Sequence, residues 1–260
     1  MLAFRHDNSF EGILSAVFDA YTRKEFPEIL LDAEEIPPLT VSAVHEVETS
    51  RPKADRVFAG LCKRLTRTGK NTVLLVHLSE LAGSAALLFR YIRKIFDAPR
   101  DGRGLLPECD FSDRDILAAD QIARKVYCEY HHLLGFARFQ KTAEGIYFAA
   151  LSPRHNVLAM LLPHFMDRFS THPWVVYDAR RGFGFYHENG AVSDMTLDGD
   201  ILENGRLPAR LLAEDELLIQ SLWAGYLGSA TIRERMNLKL QTRCLPRRYW
   251  PHMAEMAQSR

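Results

Sequence analysis

The sequence predicts a mixed α+β fold, in which a mainly helical first part precedes a part built on an antiparallel sheet. Apolar residues recur every three or four positions through most of residues 9–97, which is the helical period. Apolar and polar residues alternate in short runs after residue 136, which is the period of strands. The content of 47% hydrophobic and 25% charged residues is ordinary for a globular chain.

The first part, residues 1–104, is predicted to be helical with a short strand pair. Residues 2–7 and 41–49 alternate as strands, and residues 9–24 form an amphipathic helix for which Ser9 is a plausible N-cap. Residues 71–97 read as two helices that break near Gly83. A soft boundary is predicted in the loop at residues 102–104, although one continuous domain remains an alternative.

Residues 51–70 hold seven Lys or Arg and one acid, and they predict a basic helix. Its apolar stripe is expected to pack inward and its cations to stay in water; the stripe includes Val57, Phe58, Leu61 and Leu65. The basic face is either a solvated helix surface or a surface that faces phosphate.

The second part, residues 105–260, begins with a helix over residues 112–135. Strands are predicted at residues 136–141 and 145–152, a helix at 156–169, and strands at 174–180, 183–189 and 191–197. The order ββαβββ predicts an antiparallel sheet with a helix on one face. A helix pair at residues 214–237 and a basic tail complete the chain.

Composition limits the classes of function. The net charge is zero, which argues against a wholesale polyanion binder but leaves room for a local basic face. The four cysteines have no metal-type spacing, so reduced thiols in a cytoplasmic protein are expected, with no metal and no cofactor. The sequence has no apolar run of about 18 residues and no signal-peptide pattern, so no membrane association is expected.

Polar residues cluster where strands end, and they define the candidate site. Arg154 and His155 precede a helix start, where unpaired N–H groups favour a phosphate, although a plain helix cap explains them equally well. The candidates for catalysis are His155, His164 and Asp178, of which His164 also fits a core position. These three are expected to lie together with Arg180 and Arg181 at one sheet edge.

Arg180 and Arg181 have two interpretations, a salt-bridged rim of a hairpin and a grip on phosphate. If the strand continues, Arg180 points to the side of Asp178 and is structural, and Arg181 is the freer ligand contact. Tyr186 and Trp174 are the aromatic residues best suited to stack a base. The candidate nucleic-acid contacts are Arg138, Arg168, Arg180, Arg181, Tyr186, Arg247 and Arg248.

Several segments together resemble one known family. They include "SFEGILSAVFDAYTRKEFPE", "HHLLGFARFQ", "LSPRHNVLAMLLPHFMDRF", "WVVYDARRGFGFYH" and "PRRYWPHM". The family is bacterial, is linked to DNA metabolism or DNA repair, and is built on a domain of unknown function. Its members are typically encoded beside a radical-SAM protein linked to DNA repair, and some relatives are fused to a uracil-DNA glycosylase-like domain.

The resemblance covers nearly the whole chain and implies a DNA-associated accessory partner of the radical-SAM protein, with DNA as a second partner. It carries over no catalytic residue, and Arg154 departs from the family pattern. Two alternatives remain open. One is a protein-interaction module without DNA contact, and the other is an enzyme that acts on damaged DNA through a His/Asp/Arg pocket. The familiar nucleotide-binding, hydrolase and zinc deaminase motifs are absent from the sequence.

Overall fold

The computed structural model describes residues 1–99, 106–197, 199 and 201–257. Its helices are α1 (Phe10–Arg23), α2 (Arg51–Cys62), α3 (Arg67–Leu78), α4 (Ser84–Asp97), α5 (Arg114–Phe136), α6 (Leu158–Arg168), α7 (Glu216–Ala230), α8 (Leu238–Cys244) and α9 (Ala254–Ala257). Its strands are β1 (Leu2–Arg5), β2 (Ile29–Leu31), β3 (Ala43–Glu46), β4 (Gln140–Lys141), β5 (Tyr147–Leu151), β6 (Trp174–Asp178), β7 (Phe183–Glu188) and β8 (Ala191–Met195). The predicted α+β class is confirmed.

The chain divides into two compact units, Met1–Tyr127 and Cys128–Arg260, and the division falls within α5. The boundary predicted at residues 102–104 lies outside the described residues. It therefore stays a prediction.

The first unit packs helices against a small parallel sheet of order β2-β1-β3. Helix α1 begins as predicted, because the Ser9 hydroxyl accepts a hydrogen bond from the N–H of Gly12 at 2.8 Å. The sequence predicted only a strand pair here. Strand β2 was missed because its three apolar residues are too few to show alternation.

The single basic helix predicted over residues 51–70 is wrong, since α2 ends at Cys62 and α3 begins at Arg67. Val57, Leu61 and Leu65 are buried as expected, but Phe58 is 40% exposed. Arg64 does not stay wholly in water, because its Nη1 atom donates to the Ile95 carbonyl at 2.7 Å. A basic side chain that reaches a helix C-terminus satisfies carbonyls that the helix leaves unpaired.

The second unit contains a five-stranded mixed sheet of order β4-β5-β6-β7-β8. Strands β5 and β6 are parallel, with Leu151 opposite Asp178, and the other neighbouring pairs are antiparallel. On one face of the sheet, Phe148 of β5 and Val175 of β6 form a buried apolar cluster with Leu207. Helix α6 packs against β6 and β7.

The predicted order ββαβββ is observed, but the wholly antiparallel sheet is corrected to a mixed one. Helix α6 is a crossover that returns the chain to the end of the sheet where β5 began, so β6 runs parallel to β5. The loops after Leu151 and after Asp178 therefore leave the same edge side by side. This topology brings the polar residues that follow β5, Arg154 and His155, next to those that follow β6, Arg180 and Arg181.

Candidate functional site

Asp178, the last residue of β6, is a fully buried acid at the centre of this edge. Its Oδ1 atom accepts hydrogen bonds from the backbone N–H groups of Arg180 at 2.9 Å and Arg181 at 3.2 Å. Its Oδ2 atom accepts from Nη1 of Arg181 at 2.8 Å. A carboxylate with these donors fixes the turn that follows the strand.

The structure reverses the roles predicted for the two arginines. Arg181 pairs with Asp178 and its side chain is 14% exposed, whereas Arg180 is exposed. The prediction extended strand alternation past residue 178, but the backbone turns there, and the N–H of Gly182 donates to the Asp178 carbonyl at 2.8 Å. In a turn, the third residue after the acid can fold back onto it, so alternation no longer applies.

Both arginines also hold the loop that follows β5. Arg181 donates from Nη1 to the Pro153 carbonyl and from Nη2 to the Arg154 carbonyl, each at 3.2 Å. Arg180 donates from Nη1 to the same Arg154 carbonyl at 3.0 Å. The side chain of Arg154 itself is exposed. The two polar segments are thus joined as predicted, through backbone carbonyls.

Glu129, on α5, is a second buried acid and receives four donors. Its Oε1 atom accepts from the N–H of Arg154 at 3.0 Å, the hydroxyl of Tyr249 at 2.8 Å and Nη2 of Arg248 at 2.9 Å. Its Oε2 atom accepts from the N–H of His155 at 2.7 Å. This carboxylate therefore links the loop after β5 to the basic tail of the same unit.

The environment of Glu129 favours its charged form. Burial alone would raise the pKa of this carboxyl group. The hydrogen bonds from Arg154, His155 and Tyr249 and the positive charge of Arg248 outweigh burial and hold the pKa below its ordinary value. Burial and the neighbouring Glu129 raise the pKa of Tyr249, so its hydroxyl remains a donor at neutral pH.

A cavity of about 350 Å³ lies beside these groups, between the end of β5 and the tail. Ser152, Tyr177, Arg248 and His252 are among the residues that line it. The Ser152 hydroxyl lies 2.8 Å from Nε2 of His252, whose Nδ1 lies 2.7 Å from the Gly205 carbonyl oxygen. The cavity therefore contains a hydroxyl, an imidazole and a guanidinium.

The predicted catalytic candidates separate into two places. We call the segments that follow β5 and β6, which Arg180 and Arg181 join, the linked loops. His155 lies in the first of them and Asp178 at the start of the second, and both are buried. The ring of His164 contacts that of its neighbour Phe165, with 5.4 Å between the centroids. Among the described residues no hydrogen bond, ion pair or ring contact joins His164 to the linked loops, so the expected grouping holds for four of the five residues.

The predicted nucleic-acid contacts are likewise dispersed. Nε of Arg138 donates to the Glu255 carboxylate at 2.8 Å. Arg168 is exposed near Phe169, and Arg247 is exposed over Trp250. Tyr186 is half-buried and packs against the sheet cluster.

Trp174 is fully buried and stacks on His187, so it offers no surface to a base. Of the predicted contacts, Arg180 and Arg181 lie in the loop after β6, and Arg248 lies in the tail, where it binds Glu129.

Sequence reasoning missed Glu129, Ser152 and His252 as members of the site. Ser152 and His252 stand in quoted motifs but are 100 positions apart, and their spacing carries no recognisable pattern. Glu129 lies on an amphipathic helix, where an acid ordinarily faces water. The sequence offered one indication, which is that Glu129 lies among apolar positions of the helix. This pattern indicates that the acid is buried but does not predict which groups bind it.

Two findings limit the kinds of site that the described residues form. In the described part of the chain, no group of three or more His, Cys, Asp or Glu residues could hold a metal ion. None of the described helices is long and apolar enough to span a membrane.

Comparison with known proteins identifies one family. Residues 82–255 match a domain of unknown function, DUF4130. This match covers more than half of the 260 residues, so the chain belongs to that family. No curated protein and no solved structure matches the chain.

Proposed function

We propose that this member of the DUF4130 family is a cytoplasmic DNA-associated accessory protein that works with a radical-SAM partner in DNA repair. The partner and the link to repair rest on the resemblance described above. The physical support is the arginine cluster, defined here as Arg154, Arg180, Arg181 and Arg248, on the linked loops and tail of the second unit.

The charge balance of the arginine cluster favours an anionic ligand. Two of its guanidinium groups pair with buried carboxylates, Arg181 with Asp178 and Arg248 with Glu129. The charges of Arg154 and Arg180 are not balanced by these two acids, which leaves the cluster with a net charge of +2. Both carboxylates are buried, whereas Arg154 and Arg180 are exposed and Arg248 is 42% exposed in its side chain. The charge that reaches solvent is therefore positive, although the whole chain is neutral.

The geometry divides the arginine cluster by role. Arg181 and Arg248 neutralise buried acids, so their loss removes structural ion pairs. Arg154 and Arg180 are exposed and can contact phosphates, although Arg180 also donates one hydrogen bond to the Arg154 carbonyl. Phosphate contacts of this kind give affinity without sequence preference, which suits an accessory protein.

The experiment is a DNA titration with the double variant Arg154→Gln/Arg180→Gln. Fluorescence anisotropy of labelled single- and double-stranded DNA over a salt series measures the affinity and its salt dependence. Each lost phosphate contact should flatten the log–log salt slope on duplex DNA by about 0.9, so the double variant should lose about 2. Its thermal stability should fall only slightly, because the variant loses one exposed hydrogen bond, from Arg180 to the Arg154 carbonyl.

The matched control is Arg210→Gln, since Arg210 is exposed and already paired with Glu203 in the same unit. This change removes the same kind of charge outside the arginine cluster and should leave the salt slope unchanged. Equal slopes for the double variant and the unchanged protein would refute a phosphate grip at the cluster. No measurable DNA affinity at low salt would refute DNA contact altogether.

A second candidate function, a protein-interaction module without DNA contact, is favoured by helix α7. Apolar side chains on it are 40–63% exposed, and they are Leu217, Leu218, Ile219, Leu222, Trp223 and Tyr226. A helix that is apolar on several sides is usually covered, and a large exposed apolar patch is typical of a protein-binding surface. The expected occupant is the radical-SAM partner.

The test is co-elution of the purified radical-SAM protein with the full chain and with a Leu218→Glu/Leu222→Glu variant. Loss of co-elution in this variant alone, together with no DNA binding by the unchanged protein, would favour the interaction module. Co-elution that survives the two charges would remove α7 as the docking surface. The third alternative, a His/Asp/Arg pocket, has little support because Asp178 is fully buried and bonded to Arg181.

A further inference from the structure

Ser152 and His252 are bonded in the way that activates a serine hydroxyl. The Gly205 carbonyl can only accept, so Nδ1 of His252, 2.7 Å away, carries the hydrogen and donates it. In the neutral ring Nε2 then has the free lone pair and accepts from the Ser152 hydroxyl at 2.8 Å. The nucleophile Ser152, the base His252 and the orienting Gly205 carbonyl are thus joined by two consecutive hydrogen bonds. This is the arrangement of nucleophilic serine catalysis.

The ring environment keeps the base ready to accept a proton. Burial lowers the pKa of His252, against the opposing effects of the Gly205 carbonyl bond and the Asp178 charge. The imidazole is therefore neutral at pH 7, as a general base must be.

Two arginines of the neighbouring loop hold the loop that carries Ser152 in place. The carbonyls of the next two residues, Pro153 and Arg154, accept from the guanidinium groups of Arg181 and Arg180. Ser152 itself directly follows β5. A nucleophile fixed at a strand end loses little freedom when substrate binds, which favours reaction.

The cavity beside the pair has the size and lining of a small-molecule site. Its volume of about 350 Å³ falls within the range of ligand pockets. Leu197, Ile201 and Leu202 give it an apolar wall. The Arg248 side chain, which pairs with Glu129 through Nη2 but is 42% exposed, lines the same space with its guanidinium group. Such a lining suits a short acyl chain that carries an anionic group.

We propose that the chain is also a serine esterase that hydrolyses small anionic carboxylic esters, with Ser152 as the nucleophile and His252 as the general base. This inference does not depend on DNA binding. Ser152 Oγ forms a bond to the ester carbonyl carbon while its proton passes to Nε2 of His252. The tetrahedral intermediate expels the alcohol, which takes that proton from Nε2.

Water completes the reaction. It attacks the carbonyl carbon of the acyl-serine and gives a proton to Nε2 of His252. The bond between this carbon and Ser152 Oγ then breaks, Oγ takes the proton back from Nε2, and the acid is released. Arg248 binds the anionic end of the substrate. No oxidant, reductant or other co-reactant is needed.

The first test is labelling with a fluorophosphonate probe, which reacts with activated serines, followed by mass spectrometry of the labelled peptide. The label should fall on Ser152 and disappear in Ser152→Ala, and it should drop about 100-fold or more in His252→Gln. The matched control Ser193→Ala removes an exposed serine of the same unit and should not alter labelling.

The second test compares hydrolysis of mono-p-nitrophenyl succinate with that of neutral p-nitrophenyl butyrate by the full chain. The succinate ester should have the higher kcat/KM. Its rate should rise with pH and reach half of its plateau below pH 6.5, because burial lowers the pKa of His252 from its ordinary value. Should His252→Gln fail to fold, Ser152→Ala and this pH profile still decide the matter.

Absence of label on Ser152, or equal hydrolysis by Ser152→Ala and the unchanged protein, would overturn the esterase. A preference for the neutral ester would overturn the anionic substrate class.

Discussion

Replacing Glu129 with Gln is the sharpest test of how the second unit is held together. The carboxylate accepts four hydrogen bonds, two from backbone N–H groups and two from the side chains of Arg248 and Tyr249. The change keeps the shape of the side chain and removes its charge. The amide group of Gln has an NH₂ group in the place of one carboxylate oxygen. This NH₂ group can only donate, so it opposes at least one of the four donors that bind Glu129.

The cost follows from the contacts. With the amide oxygen in the place of Oε1, three hydrogen bonds persist but lose their charged acceptor, which weakens them. The amide nitrogen then opposes the N–H of His155, which had been bonded at 2.7 Å. Arg248 also loses the buried charge that it neutralised. We expect Glu129→Gln to lower the free energy of unfolding by about 3 kcal/mol, the lower end for a broken buried ion pair.

Tryptophan fluorescence during urea unfolding measures this cost selectively. The three tryptophans of the chain, Trp174, Trp223 and Trp250, all lie in the second unit, so their emission reports on that unit. The matched control is Glu144→Gln at an exposed hairpin position, which should change stability by less than about 0.5 kcal/mol. A loss below about 1 kcal/mol for Glu129→Gln would show that the carboxylate does not hold the loop and tail together.

Two further predictions concern pH and packing. Burial lowers the pKa values of His6 and His252, so the unfolded chain binds protons that the folded chain excludes. The contribution of these histidines to the free energy of unfolding should be complete above pH 6.5 and fall below it. The fall should be at most about 1.4 kcal/mol per pH unit for each histidine. Urea midpoints at pH 7.5 and 5.5 check this, and an equal or higher midpoint at pH 5.5 would contradict it. A Cβ atom added at Gly184 would lie 2.5 Å from the backbone oxygen of Val176, so Gly184→Ala should cost about 1–3 kcal/mol. Gly135→Ala is the control, because Gly135 lies in a helix and an added Cβ would meet no atom within 4 Å apart from the backbone of that helix and its chain neighbours. This variant should be neutral or stabilising in the same unfolding assay, and an equal loss for both variants would refute the close-contact argument.

The sequence alone was sufficient for the order ββαβββ of the second unit and for the helical or extended state of most elements, although β2 was missed and one predicted helix proved to be two. Hydrophobic periodicity and turn residues are local properties of the sequence. Ser9 therefore predicted the start of α1, and the polar residues after β5 and β6 predicted that these strands end at one edge of the sheet. Local pattern also allowed the grouping of His155, Asp178, Arg180 and Arg181 to be predicted.

Only the tertiary structure decided strand direction, the roles of the two arginines and the partners of the buried groups. Strands β5 and β6 are parallel because of the path that α6 takes, which alternation does not encode. Arg181 rather than Arg180 meets Asp178 because the chain turns after residue 178. Ser152 and His252 meet across 100 positions through packing of the tail against β5, and contacts at such separation depend on the whole fold rather than on any local pattern.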